Sequence, residues 1–379
     1  AGITMWNVKN VKITNCRFEA QHLDDGYLRR GIRSIDANPE IENCKFYGNK
    51  YGLEVHSTFS FVSDPIKVHN KCNFSKGGST FNGISHIYSN GVIGLDVKDC
   101  QFNEGIRGIQ ISGNSSFDIE RNVLVGYSNY GLDLTNTYSR FKELFANYFY
   151  SSSNGSSGIR TWGRNNEFQF ISNCFNHPRN DVYINPVPLF DDQGSRSESN
   201  NNYFHTYNND GPELFSRLPK FNYWVPNPSP NPRAIPHCHF LTPKPDATCT
   251  AGYSLHSNID AFTHREIPPN CSQNNIPDTI DRTLYQDEDT SFTYLSQKYT
   301  DFKVIVANQE TQLENMSTND PEYVGLVSEY KMNKFYRGKY QMKILQSIFS
   351  TGDYESLGTF LLNEDVYEKT TLIAGLEIS

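Results

Sequence analysis

The sequence has no uninterrupted apolar run of about 18 residues, the shortest that spans a membrane as a helix, so it predicts no membrane span. It also lacks grouped basic residues: 34 Lys and Arg are outnumbered by 42 Asp and Glu, and the formal net charge is -8. That balance disfavours a nucleic-acid partner, because phosphate binding needs clustered cations. Nucleophile elbows, phosphate-binding loops and His-Glu-x-x-His zinc motifs are absent as well. These absences argue against helical membrane proteins, nucleic-acid-binding proteins and the commonest hydrolases.

What the sequence does contain is a short repeated phrase that ends in an aromatic or apolar residue. The first four copies recur every 28 residues, and the later copies every 22 to 29 residues. Variable spacing is typical of a solenoid whose loops differ in length, whereas an α-solenoid keeps a fixed period. The eight copies are Asn15-Cys16-Arg17-Phe18, Asn43-Cys44-Lys45-Phe46, Lys71-Cys72-Asn73-Phe74, Asp99-Cys100-Gln101-Phe102, Asn122-Val123-Leu124, Asn147-Tyr148-Phe149, Asn173-Cys174-Phe175 and Asn202-Tyr203-Phe204.

A second repeated element is a glycine followed by alternating apolar residues. Period-two alternation predicts strands with one buried face, and a further apolar position precedes most phrases. The columns together predict several short strands per turn, joined by corners rich in Gly, Asn and Ser, over residues 1–207. The glycine elements are Gly31-Ile32, Gly52-Leu53-Glu54-Val55, Gly83-Ile84, Gly108-Ile109-Gln110-Ile111, Gly131-Leu132-Asp133-Leu134 and Gly158-Ile159; the preceding apolar positions are Ile13, Ile41, Val97, Ile119 and Leu144.

Equal positions of successive turns touch one another, because neighbouring strands lie about 4.8 Å apart. The column before the Phe column therefore predicts a structural ladder, first of small thiols and then of amides that hydrogen-bond between turns. A metal or redox ladder is the alternative for the thiols, but no His or carboxylate recurs beside them. Buried packing is the favoured interpretation. The ladder residues are Cys16, Cys44, Cys72, Cys100, Asn122, Asn147, Asn173 and Asn202.

The position after each Gly-Ile pair predicts an outward face. Its side chains have mixed charge, which favours a solvated surface over a cleft for one polyanion. Beside this column, Arg160, Trp162 and Arg164 are candidates for stacking on sugar rings. The outward column is interpreted as Arg33, Glu54, Ser85, Gln110, Asp133 and Arg160.

The repeats resemble the pectin-lyase-like superfamily of right-handed parallel β-helices, over roughly residues 1–207. That resemblance implies a fold in which polysaccharide hydrolases carry clustered aspartates with Gly-His-Gly and Arg-Ile-Lys phrases. Lyases of the superfamily hold calcium with acidic residues and use Arg or Lys as a base. Neither hydrolase phrase occurs here.

The best local group for such chemistry is a loop with Asp24, Asp25, Arg29 and Arg30, which are the candidate catalytic residues. Asp24 and Asp25 are also the candidate calcium ligands, and an arginine can bind an acidic sugar in bidentate fashion. No other cofactor is expected. A solvated loop between strands is the alternative interpretation, and it is favoured.

Residues 208–282 are predicted to form a Pro-rich, Cys-containing cap or linker, because prolines such as those of 226–232 exclude a helix or a central strand. Phe221, Tyr223 and Trp224 are expected to cap the end of the solenoid, since an open turn exposes unpaired backbone groups. An aromatic ligand platform is the alternative for these three residues.

Three cysteines of this segment, Cys238, Cys249 and Cys271, are expected to contribute a disulfide. A segment without a regular core gains most from such a bond, provided that the protein is exported. A zinc site built from Cys238 and its histidine neighbours is the alternative.

Residues 283–379 are predicted to be α-helical, because Tyr294, Leu295, Tyr299 and Phe302 fall at helical spacing. The residues at 351–355 resemble the inter-helix turn of tetratricopeptide-like repeats. The three-part chain resembles large bacterial surface proteins that use type IX secretion. It begins within a repeat and stops without a closing cap, so we expect a piece of a larger exported protein.

Two functions are open. The favoured one is a non-catalytic scaffold or adhesin segment, secreted or on a bacterial cell surface, which contacts carbohydrate and other segments or subunits of a surface assembly. The alternative is a polysaccharide lyase or glycoside hydrolase acting through Asp24, Asp25, Arg29 and Arg30. The missing catalytic phrases and the mixed outward face favour the scaffold.

Overall fold

The structure is a computed structural model that describes residues 2–20, 30–58, 65–76, 84–137, 142–153, 155–177, 180–184, 191–195, 200, 202–204, 214–216, 221–225, 253–257, 271, 277 and 291–351. Strands fill most of the described residues up to 257, and two helices follow. The elements are β1 Ile3–Trp6, β2 Lys12–Thr14, β3 Arg17–Glu19, β4 Arg30–Ile35, β5 Glu40–Glu42, β6 Lys45–Tyr47, β7 Tyr51–His56, β8 Ile66–His69, β9 Asn73–Ser75, β10 Ser85–Asn90, β11 Ile93–Lys98, β12 Gln101–Asn103, β13 Arg107–Ser112, β14 Ser116–Glu120, β15 Val123–Val125, β16 Tyr130–Thr135, β17 Lys142–Phe145, β18 Tyr148–Tyr150, β19 Ser157–Trp162, β20 Phe168–Ile171, β21 Cys174–Asn176, β22 Asn180–Ile184, β23 Tyr203–Phe204, β24 Leu214–Ser216, β25 Phe221–Val225, β26 Tyr253–Ser257, α1 Phe292–Asn315 and α2 Tyr323–Thr351.

Most turns of the chain contribute one strand to each of three sheets. Sheet A has the order β1-β4-β7-β10-β13-β16-β19-β22-β24, sheet B the order β2-β5-β8-β11-β14-β17-β20, and sheet C the order β3-β6-β9-β12-β15-β18-β21-β23. Neighbouring strands within each sheet are parallel, and crossovers between parallel strands are almost always right-handed. The chain is thus a right-handed parallel β-helix with two helices near its C-terminus, so the predicted fold class is confirmed.

Ring stacking fills the interior behind sheet C. Phe18, Phe46, Phe74 and Phe102 lie face to face, with ring centroids 4.9, 4.5 and 4.8 Å apart from one turn to the next. Phe46, Phe74 and Phe102 are buried, and each such burial contributes about 1.5–3 kcal/mol to folding. The repeated phrase in the sequence therefore corresponds to this stack of rings.

Glycine is the second residue of most sheet A strands because the neighbouring Phe or Leu side chains and backbone leave no room for a side chain there. A Cβ atom at Gly52 would lie 2.6 Å from Cδ1 of Phe74, and one at Gly131 would lie 2.5 Å from Cδ1 of Phe149. On one turn, pairing of β10 with β13 puts His86 in this column. His86 is buried, and its Nε2 contacts the carbonyl oxygen of Glu104 at 2.8 Å.

The eight predicted ladder residues stand in one column. In its second half the backbone N–H of Asn122, Asn147 and Asn173 donates to the side-chain oxygen of the next Asn at 2.8–2.9 Å. In the first half the N–H groups of Cys16 and Cys44 meet the next sulfur at 3.4 Å. An amide oxygen is the stronger acceptor, so the amide half of the ladder is the more firmly hydrogen-bonded.

The four ladder thiols are free. The hydrogen bond with Cys100 and burial together raise the pKa of Cys72 to about 12. A thiol with so high a pKa is a poor nucleophile and metal ligand at neutral pH. This favours the packing interpretation of the column.

Strand pairing continues beyond residue 207. Strand β24 pairs with β22, β25 pairs with β26, and Gln193 forms a parallel bridge with Tyr223. Tyr223 belongs to the main hydrophobic core, and Trp224 is buried too. Both residues are thus buried against the coil of strands, and their expected role as a cap at its end stays a prediction; residues 226–252 lie outside the described part of the chain.

A disulfide joins Cys174, on the outer side of sheet C, to Cys271. Cys271 packs there against Val123, Tyr148 and Tyr203. The pairing differs from the one expected among Cys238, Cys249 and Cys271, because Cys174 belongs to the same buried apolar cluster as Cys271. Cys238 and Cys249 lie outside the described residues, so a bridge between those two stays a prediction.

The two helices form a hairpin with its own apolar cluster. Ser291 caps α1, its Oγ accepting the N–H of Tyr294 at 3.3 Å. No helix in the described part of the chain is long and apolar enough to cross a membrane. The tetratricopeptide-like turn was placed largely beyond residue 351, outside the described residues. The cluster consists of Leu295, Tyr299, Met332, Phe335, Tyr336, Tyr340 and Ile344.

Candidate functional site

Of the four residues proposed for catalysis, Asp24, Asp25 and Arg29 lie outside the described part of the chain. Arg30 is described, and it begins β4 on the outer surface of sheet A. The site is therefore built around Arg30 and its neighbours on that surface, called here the sheet A face. It consists of three outward columns that follow the strands' pairing.

The first column lies directly before the glycines, and the second lies two residues after them. In the second column β10 contributes Tyr88, because Ile87 pairs with Leu53 and Ile109. The expected member Ser85 belongs to the first column, so the Gly83-Ile84 phrase was aligned three residues too early. The first column is Arg30, Tyr51, Ser85, Arg107, Tyr130 and Ser157; the second is Thr4, Arg33, Glu54, Tyr88, Gln110, Asp133, Arg160 and Tyr183; the third is Trp6, Ile35, His56, Asn90, Ser112, Thr135 and Trp162.

A first charged cluster surrounds Glu54, which is buried in the middle of β7. Its carboxylate is ion-paired with Arg30, lies 3.9 Å from Nε of Arg33, and contacts Nε2 of His56 at 2.9 Å. Burial, with the charges of Arg33 and Arg30, lowers the pKa of His56. These effects favour the neutral form of the His56 imidazole.

A second cluster surrounds Asp133, which is fully buried in β16. Nε of Arg107 and Nε of Arg160 each donate to this carboxylate at 2.8 Å. The guanidinium of Arg160 also lies 4.3 Å from the ring centroid of Tyr130, an arrangement that adds a cation–π attraction. The arginines remain 26% and 21% exposed while the carboxylate beneath them is sealed.

Aromatic rings border both clusters. Tyr88 lies 5.6 Å from Tyr51 and from the imidazole of His56. At the far edge of the strands, Trp6 is 73% and Trp162 51% exposed. Exposed rings on a rigid sheet can stack on the apolar faces of sugar rings at a low cost in side-chain entropy.

The charges of the sheet A face fit binding better than bond cleavage. Each cluster holds two arginines and one carboxylate, which leaves a net positive charge outermost. Glu54 and Asp133 lie three strand steps apart, about 14 Å at 4.8 Å per step. A pair of carboxyl groups that hydrolyses a glycosidic bond is about 5–9.5 Å apart, so these two do not form such a pair.

Sequence reasoning identified Arg30, Arg33 and Arg160 but missed Tyr51, Arg107 and Tyr130. Period-two alternation does not reveal this column, because the residue directly before the glycine is two positions from the first inward apolar residue, as Arg107 is from Ile109. In the structure the column reads Arg, Tyr, Ser, Arg, Tyr, Ser. Both this column and the register of β10 therefore required the structure.

A second group of acids lies on the outer surface of sheet B. The carboxylate oxygens of Asp118, Glu120 and Glu143 lie within 4.8 Å of one another. Lysine ammonium groups already sit among them: Lys98 is 3.0 Å from Asp118, and Lys339 is 2.7 Å from Glu143. Since these cations meet the charge of the group, we assign no metal to it.

Comparison with known proteins supports the architecture. Residues 1–175 match the family model described as a right handed beta helix region. No curated protein and no solved structure matches the chain.

Proposed function

We propose that this chain, whose first 175 residues match the right-handed β-helix family, is a non-catalytic scaffold or adhesin segment that binds carbohydrate through the sheet A face. The observation that carries the proposal is the pair of Arg–carboxylate–Arg clusters, each beside a tyrosine. Their carboxylates are occupied by arginine, while the arginines and the rings remain partly open to solvent. Such a surface holds hydroxyl and acid groups of a glycan without activating them.

Glycan-array binding of the wild type and of Trp162→Ala tests this function. Removing the exposed ring should weaken binding about tenfold, in line with a stacking contact worth roughly 1–1.5 kcal/mol. Tyr47→Ala is the matched control, because Tyr47 is 42% exposed on sheet C, away from the proposed surface. Equal binding by both variants and the wild type would place any glycan site elsewhere.

A polysaccharide lyase is the second candidate, and the contact between Glu54 and His56 favours it. A neutral imidazole can accept a proton, and Arg30 and Arg33 beside it can neutralise a uronate carboxylate. Ultraviolet absorbance of unsaturated products from uronic-acid polymers, with and without calcium, detects such activity. Activity that disappears in His56→Ala would replace the scaffold proposal with an enzyme, and activity lost in Asp25→Ala would do the same for the predicted loop.

We infer that the protein is exported, because the Cys174–Cys271 disulfide belongs to an oxidising compartment. Export agrees with a role on a cell surface, where other segments or subunits of an assembly are the expected partners. Alkylation of the unfolded, unreduced protein tests both disulfide assignments. Four labelled thiols indicate that Cys238 and Cys249 are also paired, and six indicate that they are not; labelling of all eight would contradict the export argument.

A further inference from the structure

The helical hairpin and the β-helix have separate hydrophobic cores. The cluster that runs through the β-helix and the cluster of the hairpin share no residue among the described side chains. Long-range polar contacts nevertheless connect the two. Lys339 of α2 pairs with Glu143 of β17 at 2.7 Å, and Ser328 and Lys331 of α2 reach Asp192 at 3.2 and 3.4 Å.

The surface beneath α2 has an unusual charge pattern, here called the acidic strip: Asp96, Asp118, Glu120 and Glu143. Asp96, Asp118 and Glu143 occupy the same outward column of β11, β14 and β17, and Glu120 lies in the next column. Like charges opposite one another on neighbouring strands destabilise a sheet. Lys67 lies beside Asp96 in this column, so it is Asp118 and Glu143 that need cations from outside it.

Positive charge reaches the strip from the sheet itself and from α2. On the sheet, Lys98 lies 3.5 Å from Asp96, 3.0 Å from Asp118 and 3.3 Å from Glu120, while Arg121 lies 3.1 Å from Glu120 and Nε2 of His69 lies 3.3 Å from Asp96. Glu143 is fully buried, and its partner is Lys339 of α2, which is 2% exposed. Lys343 of α2 also acts on Asp118 and Glu120 through its charge. The hairpin thus completes, at Glu143, the neutralisation that Lys98 and Arg121 begin at Asp118 and Glu120.

The pKa values of the two central acids of the strip, Asp118 and Glu120, are shifted in opposite directions. Burial and the charge of Glu120 raise the pKa of Asp118 well above its ordinary value. Burial opposes the ionisation of Glu120 too, but the charges of Lys98, Lys343 and Lys339 and a hydrogen bond with Asp118 together outweigh it and hold that pKa well below its ordinary value. Such opposite shifts are the behaviour of adjacent acids in a sealed site.

We propose that the α1–α2 hairpin is a releasable lid on the β-helix, held over the acidic strip chiefly by the lysines of α2. In the closed state Lys339 and Lys343 neutralise the strip and exclude water from it. In the open state the β-helix keeps its own core, and the strip becomes an exposed acidic surface. The lid is independent of the sheet A face, since its contacts lie on sheet B.

Carbodiimide footprinting of carboxylates, read by mass spectrometry, tests the lid in the whole chain. Lys339→Met removes one partner of a buried ion pair, which shifts such equilibria by a factor of roughly a hundred or more. Labelling of Glu143 and Glu120 should rise by that factor, while buried Asp133 on sheet A stays unlabelled. Lys334→Met is the matched control, because Lys334 is an exposed lysine of the same helix.

Charge reversal gives a second, independent arm. Lys339→Glu should also uncover Glu120, and adding Glu143→Lys to it should restore protection of Glu120. The proposal is overturned if Glu120 and Glu143 stay protected in Lys339→Met and Lys339→Glu. It is equally overturned if Asp133 becomes labelled together with them, since the hairpin would then unfold with the β-helix as one unit rather than open as a lid.

Discussion

The outer surfaces of sheets A and B both combine buried carboxylates with cations, yet they balance charge in different ways. On sheet A, Asp133 is held by Arg107 and Arg160, which come from the strands on either side of it. On sheet B, Glu143 depends on Lys339, nearly two hundred residues later in the chain. The buried carboxylate of sheet A is neutralised by its own neighbouring strands, whereas Glu143 on sheet B is neutralised by a lysine of α2.

The choice of cation follows from that difference. A guanidinium can clamp a carboxylate with two N–H groups, stack on a ring such as Tyr130 and still face water. An ammonium is a compact point charge, and that of Lys339 pairs with a single buried partner, Glu143. Arginine therefore suits a surface that stays open for ligands, and lysine suits a contact that closes.

The largest predicted effect is on the covered surface. Glu143→Gln leaves the ammonium of Lys339 buried without its counter-charge, so we expect the free energy of unfolding to fall by about 3–5 kcal/mol. Asp133→Asn should cost less, about 1–3 kcal/mol, because Arg107 and Arg160 are partly exposed and can turn toward water. Urea denaturation of both variants gives the comparison.

This prediction is contradicted if Asp133→Asn lowers the free energy of unfolding as much as Glu143→Gln does, or more. The sheet A face would then depend on its ion pairs as strongly as the covered surface does.

The β-helix could be predicted from sequence because each turn repeats the same local requirements. The Phe stack requires an aromatic ring at the same position of successive turns, and the crowding at Gly52 and Gly131 requires a glycine there. Both requirements appear in the sequence as repeats. The lid could not be predicted, since one lysine of a helix carries no sign of which acid it meets 196 residues away. The Asp24 loop was proposed from local composition alone, and it lies outside the described residues.

Lys142 shows a further limit of pattern reading. It occupies an inward position between Phe117 and Phe168, where its amine donates to the carbonyl oxygen of Thr137. Burial lowers its pKa to about 7. Periodicity places a side chain on a face, but it does not reveal that a lysine can be neutral and fill an apolar column.

A second prediction uses Asp118, a buried acid with acidic neighbours. Its pKa is raised in the folded state above the ordinary 3.8, so its contribution to stability is fully present below about pH 4 and is lost as the pH rises through the folded value. Asp118→Asn removes that loss. We expect the variant to equal the wild type near pH 3 and to be at least as stable at pH 7, in contrast to Asp133→Asn.

Thermal unfolding of both proteins from pH 3 to pH 8 measures this difference. A variant that loses stability as the pH rises relative to the wild type would show that Asp118 is ionised and favourably paired in the folded protein. The acidic strip would then need less help from α2 than we infer.

The smallest predicted effect concerns the early turns of sheet B, where the outward column alternates in sign as Lys12, Glu40 and Lys67. Nζ of Lys12 lies 3.0 Å from Glu40, but the two side chains are 56% and 36% exposed. Exposed pairs of this kind contribute little, because water screens them and ordering them costs entropy. Glu40→Gln should therefore leave the urea midpoint indistinguishable from that of the wild type. A loss of stability comparable to that of Glu143→Gln would show that ion pairs on sheet B are important whether or not α2 covers them. The proposed difference between the open and the covered surface would then be wrong.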